Sequence, residues 1–390
     1  MKKIKVHSLT GRITRELMLE AFRAVKRNRG VAGVDRVTIE LFERDLEQNL
    51  ATLMTQLKDR SFRPKPLRRV HITKGDGKTR PRGIPTVRDR VAQEVLRRLL
   101  NPIFERLFHA DSYGFRSGRS CHMALKRVLE LREQGFQHVL DADIKGFFDN
   151  IPHRVIMDGL AAEIADGNIL TLVERFLTAG VMEEGVLLPT RQGTPQGGVI
   201  SPLLANIALN RLDWKLQEAG YRFVRYADDF VVMCQTEAQA REAHVLVQQQ
   251  LTELGLTLSA EKTQITRCSR GFLFLGFRVG SRYVTMRDKS VEKFKTRIRE
   301  LTTRSHNLDA RVVERVNQTV RGVANYFATS FSYVWKLFQR LDSWLRMRLR
   351  AMKFKRKSRN DNGRLRIKHL RRAGFIFLND LNPRSAATTS

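Results

Sequence analysis

The chain has 390 residues, 42% of them apolar, which is enough for two or three domains around at least one sizeable core and excludes a disordered chain. Lys and Arg total 71 against 40 acids, and the resulting charge of +31 points to nucleic acid as partner and away from a simple solubility charge. No apolar run approaches about 18 residues and no apolar block follows "MKKIKVHSLTGRIT", so neither a membrane span nor a secretory signal is expected; Cys121, Cys234 and Cys268 form no C-x-x-C pair, which fits a reduced, cytoplasmic setting without a zinc knuckle or disulfide framework.

Residues from about 12 to 60 read as helical. "ITRELMLEAFRAVKRNRG" stops at Gly30, and Phe42, Leu46, Leu50 and Leu53 are spaced for one face of the next helix. "LRRVHI" reads as a strand, "KGDGK" as a turn, and a second strand leads to a helix after Pro85. "FQHVLDADIKGFFDNIPH" opens as a buried strand and ends at a helix start near Pro152, with 154–180 helical. A hairpin, a Gly-rich loop and a long helix from about Pro202 come next. "YRFVRYADDFVVMCQ" has β-prone residues on both sides of two acids and reads as a hairpin, followed by a helix over 236–254 and two short strands in "KTQITRCSRGFLFLGFRVG". From about 288 the pattern is helix after helix. Val334, Leu337, Leu341, Trp344 and Leu345 form one apolar stripe, and 336–372 holds 15 Lys and Arg against Asp342 and Asp361. Only the last residues, "NPRSAATTS", read as disordered.

Acids at a turn are ordinary, so Asp228 and Asp229 alone carry little. A second apolar strand ending on an acid, Asp143, changes that. If the strands are neighbours, the three carboxylates crowd one spot, and each like-charge pair at about 4 Å costs on the order of 4 kcal/mol at an effective dielectric of 20. Divalent cations remove that repulsion, because Mg²⁺ takes one or two carboxylates together with substrate phosphates. Two such ions can activate a 3′-hydroxyl and stabilise a leaving pyrophosphate.

The order strand-Asp-x-x-x-x-Phe, "TPQGG", "YADD" resembles a reverse transcriptase. "RPKPLRRVHI", "GKTRPRGIPTVRDR", "DSYGFRSGRSCHMAL", "DADIKGFFDNIPH", "GTPQGGVISPLLANIALNRLD", "RYADDF" and "LTLSAEKTQI" together resemble the bacterial group II intron-encoded reverse transcriptases, over roughly residues 15 to 375. The resemblance implies an α+β right-hand polymerase: mixed α/β fingers with an N-terminal extension over 1–135, an antiparallel-sheet palm over 136–285, a helical maturase-like thumb over 286–380 and a disordered tail over 381–390. It implies that Asp143, Asp228 and Asp229 are catalytic. Asp143 and Asp228 would hold two Mg²⁺, for which Mn²⁺ can substitute, with Ile144 as a backbone ligand and Asp229 beside them. Lys74 and Arg80 would grip the incoming triphosphate. Phe148, five residues after Asp143, would be the ring that excludes a 2′-hydroxyl, unless Phe148 is core and Phe147 the exposed ring. Gln196 would contact the nucleotide or template. Lys262 would sit near the leaving phosphates or be a surface lysine.

Arg116 and Arg119 are expected on the template backbone. Arg346, Arg350, Lys353, Lys355 and Arg356 are expected along an RNA–DNA hybrid, which is read by shape and phosphate. For "KFKRKSR" the competing reading is a solvated tail. Implied partners are an RNA template, a DNA primer, dNTPs and structured intron RNA, with no membrane. The sequence shows no Cys-rich tail and no room for an endonuclease after the thumb, so it resembles the short members of the family. A maturase that stabilises intron RNA, a reverse transcriptase recruited to repair or phage defence, and an RNA-synthesising polymerase are the rival functions; a Phe at 148 argues against the last.

Overall fold

A computed structural model describes residues 5–73, 79–194 and 197–383. The chain forms two compact units, Met1–Ile265 and Thr266–Ser390.

The first unit begins with helices α1 (Arg15–Arg27), α2 (Ile39–Arg44) and α3 (Leu46–Lys58). Threonines start two of them: Thr14 accepts from the Leu17 amide and Thr38 from the Leu41 amide. The stripe from Phe42 to Leu53 is interrupted at Asp45, where the backbone leaves the helix (φ −116°, ψ 43°). The Asn49 amide meets the Phe42 carbonyl at the break, so Phe42, Leu50 and Leu53 are buried while Leu46 is not. Strands β1 (Leu67–Thr73) and β2 (Thr79–Ile84) form the expected antiparallel pair, and α4 (Val87–Glu105) follows behind a Thr86 cap. Next come α5 (Cys121–Glu133), β3 (His138–Asp143), α6 (Phe147–Asn150), α7 (His153–Glu163) and α8 (Gly167–Leu177). Strands β4 (Val181–Glu183) and β5 (Val186–Leu188) form the expected hairpin, but β4 also pairs with β1 in parallel, giving a sheet in the order β2-β1-β4-β5.

Helix α9 (Ser201–Glu218) is buried throughout Leu203–Leu209. It leads into β6 (Arg222–Tyr226) and β7 (Asp229–Cys234), then α10 (Glu237–Glu253) and β8 (Gln264–Arg267). The sheet runs β6-β7-β3-β8, and β3 and β6 each pair antiparallel with β7. Leu140, Ala142, Phe230 and Val232 point from it into the main core with Ala240, Ala243 and Val247 of α10. By alternation Arg225, opposite Phe230 on β6, faces that core too.

The second unit takes in residues 266–285 as well as the helices beyond. Its strands β9 (Phe272–Phe274), β10 (Phe277–Val279) and β11 (Val284–Met286) form a separate antiparallel sheet; with β8, the segment ending at 280 holds three strands where two are expected, and β11 lies beyond it. They belong with α11 (Asp288–Leu301), α12 (Ala310–Phe327) and α13 (Trp335–Lys353) because Phe277 packs on Tyr326 and Phe327, and the Tyr326 hydroxyl donates to the Leu275 carbonyl at 2.8 Å. On α13 the buried stripe is Phe338, Leu341, Leu345, Leu349 and Met352; Leu337 and Trp344 lie at its edge. Asp342 sits on the buried side and accepts from the amides of Leu378 and Asn379; burial pushes its carboxyl up to about 6.

Arg225 is fully buried and pairs with Asp213 of α9, also fully buried. Arg225→Met alone should lower stability by about 3–5 kcal/mol in denaturant unfolding, because Asp213 is left charged and alone. Adding Asp213→Leu should recover most of the loss. Equal stability of the single and double variants would contradict this assignment.

Candidate active site

Asp143 is the last residue of β3, and its register partner is Asp229, the first residue of β7. Asp229 is also paired with Tyr226 on its other side, so the β6–β7 connection is the two-residue turn Ala227-Asp228. Residues directly opposite in a sheet share a face, so Asp143 and Asp229 emerge together at one end of it. Asp228 stands beside them, half-buried. Asp141 lies on the same face by alternation. Burial pushes its carboxyl up to about 6, against a hydrogen bond from Gln264 and with the Asp143 charge adding to the rise.

The segment "LTLSAEKT" is laid along this strand end. The Ser259 amide donates to the Asp143 carbonyl at 2.8 Å, the Lys145 amide to the Thr257 carbonyl at 2.9 Å, and Ile144 bridges to Leu258. Lys262 Nζ donates to Asp143 Oδ2 at 2.9 Å. Lys262 is largely open to solvent and Asp143 is half-buried. Among the described residues no group of three or more His, Cys, Asp or Glu side chains is gathered to hold a metal ion on its own.

The turn is braced from behind. Arg225 donates through Nε and Nη2 to Asp213, and through Nη1 to Asn206 Oδ1 and to the Ala227 carbonyl, both at 2.9 Å. Asn206 Nδ2 in turn donates to the Gly114 carbonyl at 2.8 Å. Ala227 has φ +60°, a left-handed conformation that an alanine adopts only under constraint. Gly114 lies so close that a Cβ there would stand 2.3 Å from the Ala227 nitrogen. Sequence reading passed over Arg225, yet a signal was present: an arginine at a core-facing strand position needs a buried acid.

Phe147 is core, with 2% of its surface exposed, and Phe148 is the ring that faces a cavity of about 290 Å³. The Phe147-exposed alternative is therefore excluded. Gly146, at φ +54°, turns the chain between strand and rings. Arg69, Arg82, Thr190, Gln192 and Thr194 share the cavity wall with Phe148. The Thr194 amide donates to the Phe148 carbonyl at 2.7 Å, which fixes the backbone of the ring. Gly197 approaches the β2 backbone, since a Cβ there would meet the Gly83 carbonyl oxygen at 2.2 Å. Lys74, Gln196 and the "GDGK" turn lie outside the described residues, as do the side chain of Arg80 and tail residues 384–390.

Arg116, expected on the template backbone, is turned into the protein. Its buried guanidinium donates to Glu105 and to the carbonyls of His109 and Ser112, both at 2.7 Å, and lies over the Phe108 ring. It holds its own loop. Arg119 lies over Tyr113 and donates to the Ala110 carbonyl. In the second unit Arg346 covers Phe377, Arg350 donates to the Leu365 carbonyl, Lys355 to the His306 carbonyl, and Arg356 pairs with Asp361. Lys353 is exposed at the end of α13.

Residues 72–279 match the reverse transcriptase (RNA-dependent DNA polymerase) family, and residues 291–374 match the group II intron maturase-specific domain. The chain belongs to the reverse transcriptase family. It carries the RNA-directed DNA polymerase domain of that family, followed by a maturase-specific domain, in a mixed α/β polymerase fold. Members of the family work with divalent metal ions. Protein YkfC of Escherichia coli K12 is 34% identical over 332 residues, 73% of this chain and 86% of that protein. The group II intron-encoded protein LtrA of Lactococcus lactis is 41% identical over 180 residues, 46% of this chain and 30% of LtrA, so the match covers under a third of LtrA. Among solved structures, telomerase from Candida albicans superposes with a TM-score of 0.46 at 14% identity over 81% of this chain and 64% of that one. A Cas6-RT-Cas1–Cas2 complex gives 0.39 at 24% over 62% of this chain and 40% of that one. No helix among the described residues is long and apolar enough to cross a membrane.

Gly114→Ala forces the turn carrying Asp228 to move. A displacement on the order of 1 Å in a reacting group costs about a hundredfold in rate. Primer extension should fall by roughly that factor with RNA affinity little changed; a rate near that of the parent chain would contradict the brace.

Proposed function

We propose that the chain is a group II intron-type reverse transcriptase that copies RNA into DNA from dNTPs by two-metal-ion nucleotidyl transfer. The observation that carries this reading is the register pairing of Asp143 with Asp229, beside Asp228 at the adjacent turn. The residues suit a divalent ion. Lys262 already sets a cation on Asp143 Oδ2. Mg²⁺ needs only one or two carboxylates when backbone carbonyl, water and phosphate oxygens complete its shell, so no larger acidic cluster is required. Asp143 and Asp228 would hold the pair of Mg²⁺ ions, the Ile144 carbonyl would serve as a backbone ligand, and Asp229 would stand beside them; Mn²⁺, which accepts the same oxygen donors, would substitute. Bound there, the ions would supply activation of the primer 3′-hydroxyl and stabilisation of the leaving pyrophosphate.

The chain's own groups do the rest. Phe148, on the cavity wall, would set its ring where a 2′-hydroxyl needs room and so select dNTPs over NTPs. Lys74 and Arg80 would hold the triphosphate, Gln196 the nucleotide or template, and Lys262 the leaving phosphates once it is drawn from Asp143. Arg119 and the thumb cations Arg346, Arg350, Lys353, Lys355 and Arg356 would meet backbone phosphates, with Lys353, Lys355 and Arg356 the exposed ones among the five thumb residues. Several of these cations now sit on protein carbonyls or an acid, and would have to exchange those partners for phosphate.

A second role as a splicing maturase is favoured by the maturase-specific match over 291–374. It draws on RNA binding and not on the acids.

Asp228→Ala should abolish extension of a DNA primer on an RNA template, by more than the about hundredfold typical of losing a group behind a metal ligand, while RNA stays bound. Removing divalent ions with a chelator should have the same effect. Residual synthesis near the parent rate sinks the two-metal reading, and unchanged intron splicing by Asp228→Ala supports the separate maturase role. Affinity for a primer–template should fall steeply with salt, with a log–log slope of about −5 if roughly six phosphates are neutralised; a flat response contradicts the electrostatic account.

A further inference from the structure

Phe115 breaks two local rules at once. It is a bulky aromatic with φ +58°, in the left-handed region, and its side chain is 53% exposed. An ordinary loop would place Gly, Asn or Asp there, because a left-handed aromatic is a genuine outlier. Such outliers persist only where the surroundings over-determine them, and they cluster at functional sites. The surroundings here do so. On one side Gly114 is wedged against the Ala227 backbone. On the other, Arg116 is bolted to Glu105 and to the carbonyls of His109 and Ser112. The backbone of Phe115 therefore has no freedom to relax.

What that conformation achieves is visible at the ring. Phe115 meets Phe148 edge-on, with centroids 6.3 Å apart and planes at 82°. Phe148 also meets Phe147, at 5.3 Å and 69°, and its carbonyl accepts from the Thr194 amide. Phe147 belongs to the core and Thr194 to the cavity wall. Phe115 is the one of these three that is open to solvent.

We propose that Phe115 is a positioning residue for sugar selection: its strained backbone holds an aromatic edge against Phe148 and keeps that ring from turning away to admit a 2′-hydroxyl. This rests on the reading of Phe148 as the ring under the ribose. The edge contact acts only through Phe148, so it changes discrimination between sugars and not the handling of phosphates or metal.

The test uses the full chain and compares kcat/KM for a dNTP and the matching NTP on one primer–template. Phe115→Gly is the informative variant. Glycine suits the left-handed backbone, so the protein should unfold at the same temperature as the parent or a higher one. The dNTP/NTP ratio should nevertheless fall about fivefold, the size of an edge-to-face aromatic contact. Phe115→Tyr, which keeps the ring, should keep the ratio. In a Phe148→Ala background, Phe115→Gly should produce no further fall. An unchanged ratio in Phe115→Gly overturns the proposal, as does a fall that adds in full to that of Phe148→Ala, or an equal loss for both sugars. If the parent chain makes no DNA, the polymerase reading fails first; if it makes DNA but Phe148→Ala leaves the ratio unmoved, the ring assignment fails and takes this inference with it.

Discussion

The buried ion pair between Arg225 and Asp213 is the interaction on which the site depends. A fully buried salt bridge is not in itself a source of stability, since desolvating two charges offsets most of their attraction. Its value here is geometric. The planar guanidinium spends its donors on Asp213, on Asn206 and on the Ala227 carbonyl, and the Asn206 amide reaches on to Gly114. One charged group thus ties α9, strand β6, the Gly114 loop and the acid-bearing turn to a single point. Asp213 and Asn206 come from α9, Ala227 from the turn itself and Gly114 from a third segment reached through Asn206, and none can shift without leaving a charge or an amide unsatisfied in the core.

That rigidity matters because the turn holds acids where the protein gains nothing by holding them. Asp143 and Asp229 face each other across two strands, and Asp141 stands one alternation away with its carboxyl raised by burial. Like charges at strand ends tend to splay the strands. The sheet resists because both its faces are buried, Ala142, Phe230 and Val232 on one and Val139, Val224 and Val231 on the other, while Lys262 partly neutralises the acid-bearing end. The same site is framed on its flank by a second constrained segment, in which Gly114, Phe115 and Arg116 connect the turn to the Phe148 ring. Carboxylates and the Phe148 ring are thereby set by one continuous set of contacts and not by two independent loops.

Much of this was legible in the sequence. Apolar and β-prone residues on both sides of Asp228 and Asp229 mark the hairpin, and the apolar run ending at Asp143 marks its neighbour, because a buried strand with an acid at its end has few places to go. Apolar residues at helical spacing, with Gly30, Pro85 and Pro202 as boundaries, mark the helices. What escaped was decided by burial, which one sequence does not display. Arg116 lies in a basic loop and reads like a surface cation, yet it is buried among carbonyl and carboxylate partners. Phe147 and Phe148 are indistinguishable by type; the left-handed Gly146 decides which ring enters the core. Arg225 and Phe115 are invisible as functional residues until the partner segments are in place. The strands of 266–286 followed the aromatic cluster around Phe277 into the second unit, a choice that depends on α12, some 50 residues further along.

The central claim is that the braced turn brings carboxylates from two separated segments onto shared divalent ions. Anomalous diffraction from crystals of the protein with a primer–template, an unreactive dNTP analogue and Mn²⁺ addresses it directly. The account predicts two manganese peaks roughly 3.5–4 Å apart, both contacted by Asp143 and Asp228, with the Ile144 carbonyl on one of them. Manganese bound by only one of the two carboxylates, or lying away from the turn, would contradict it.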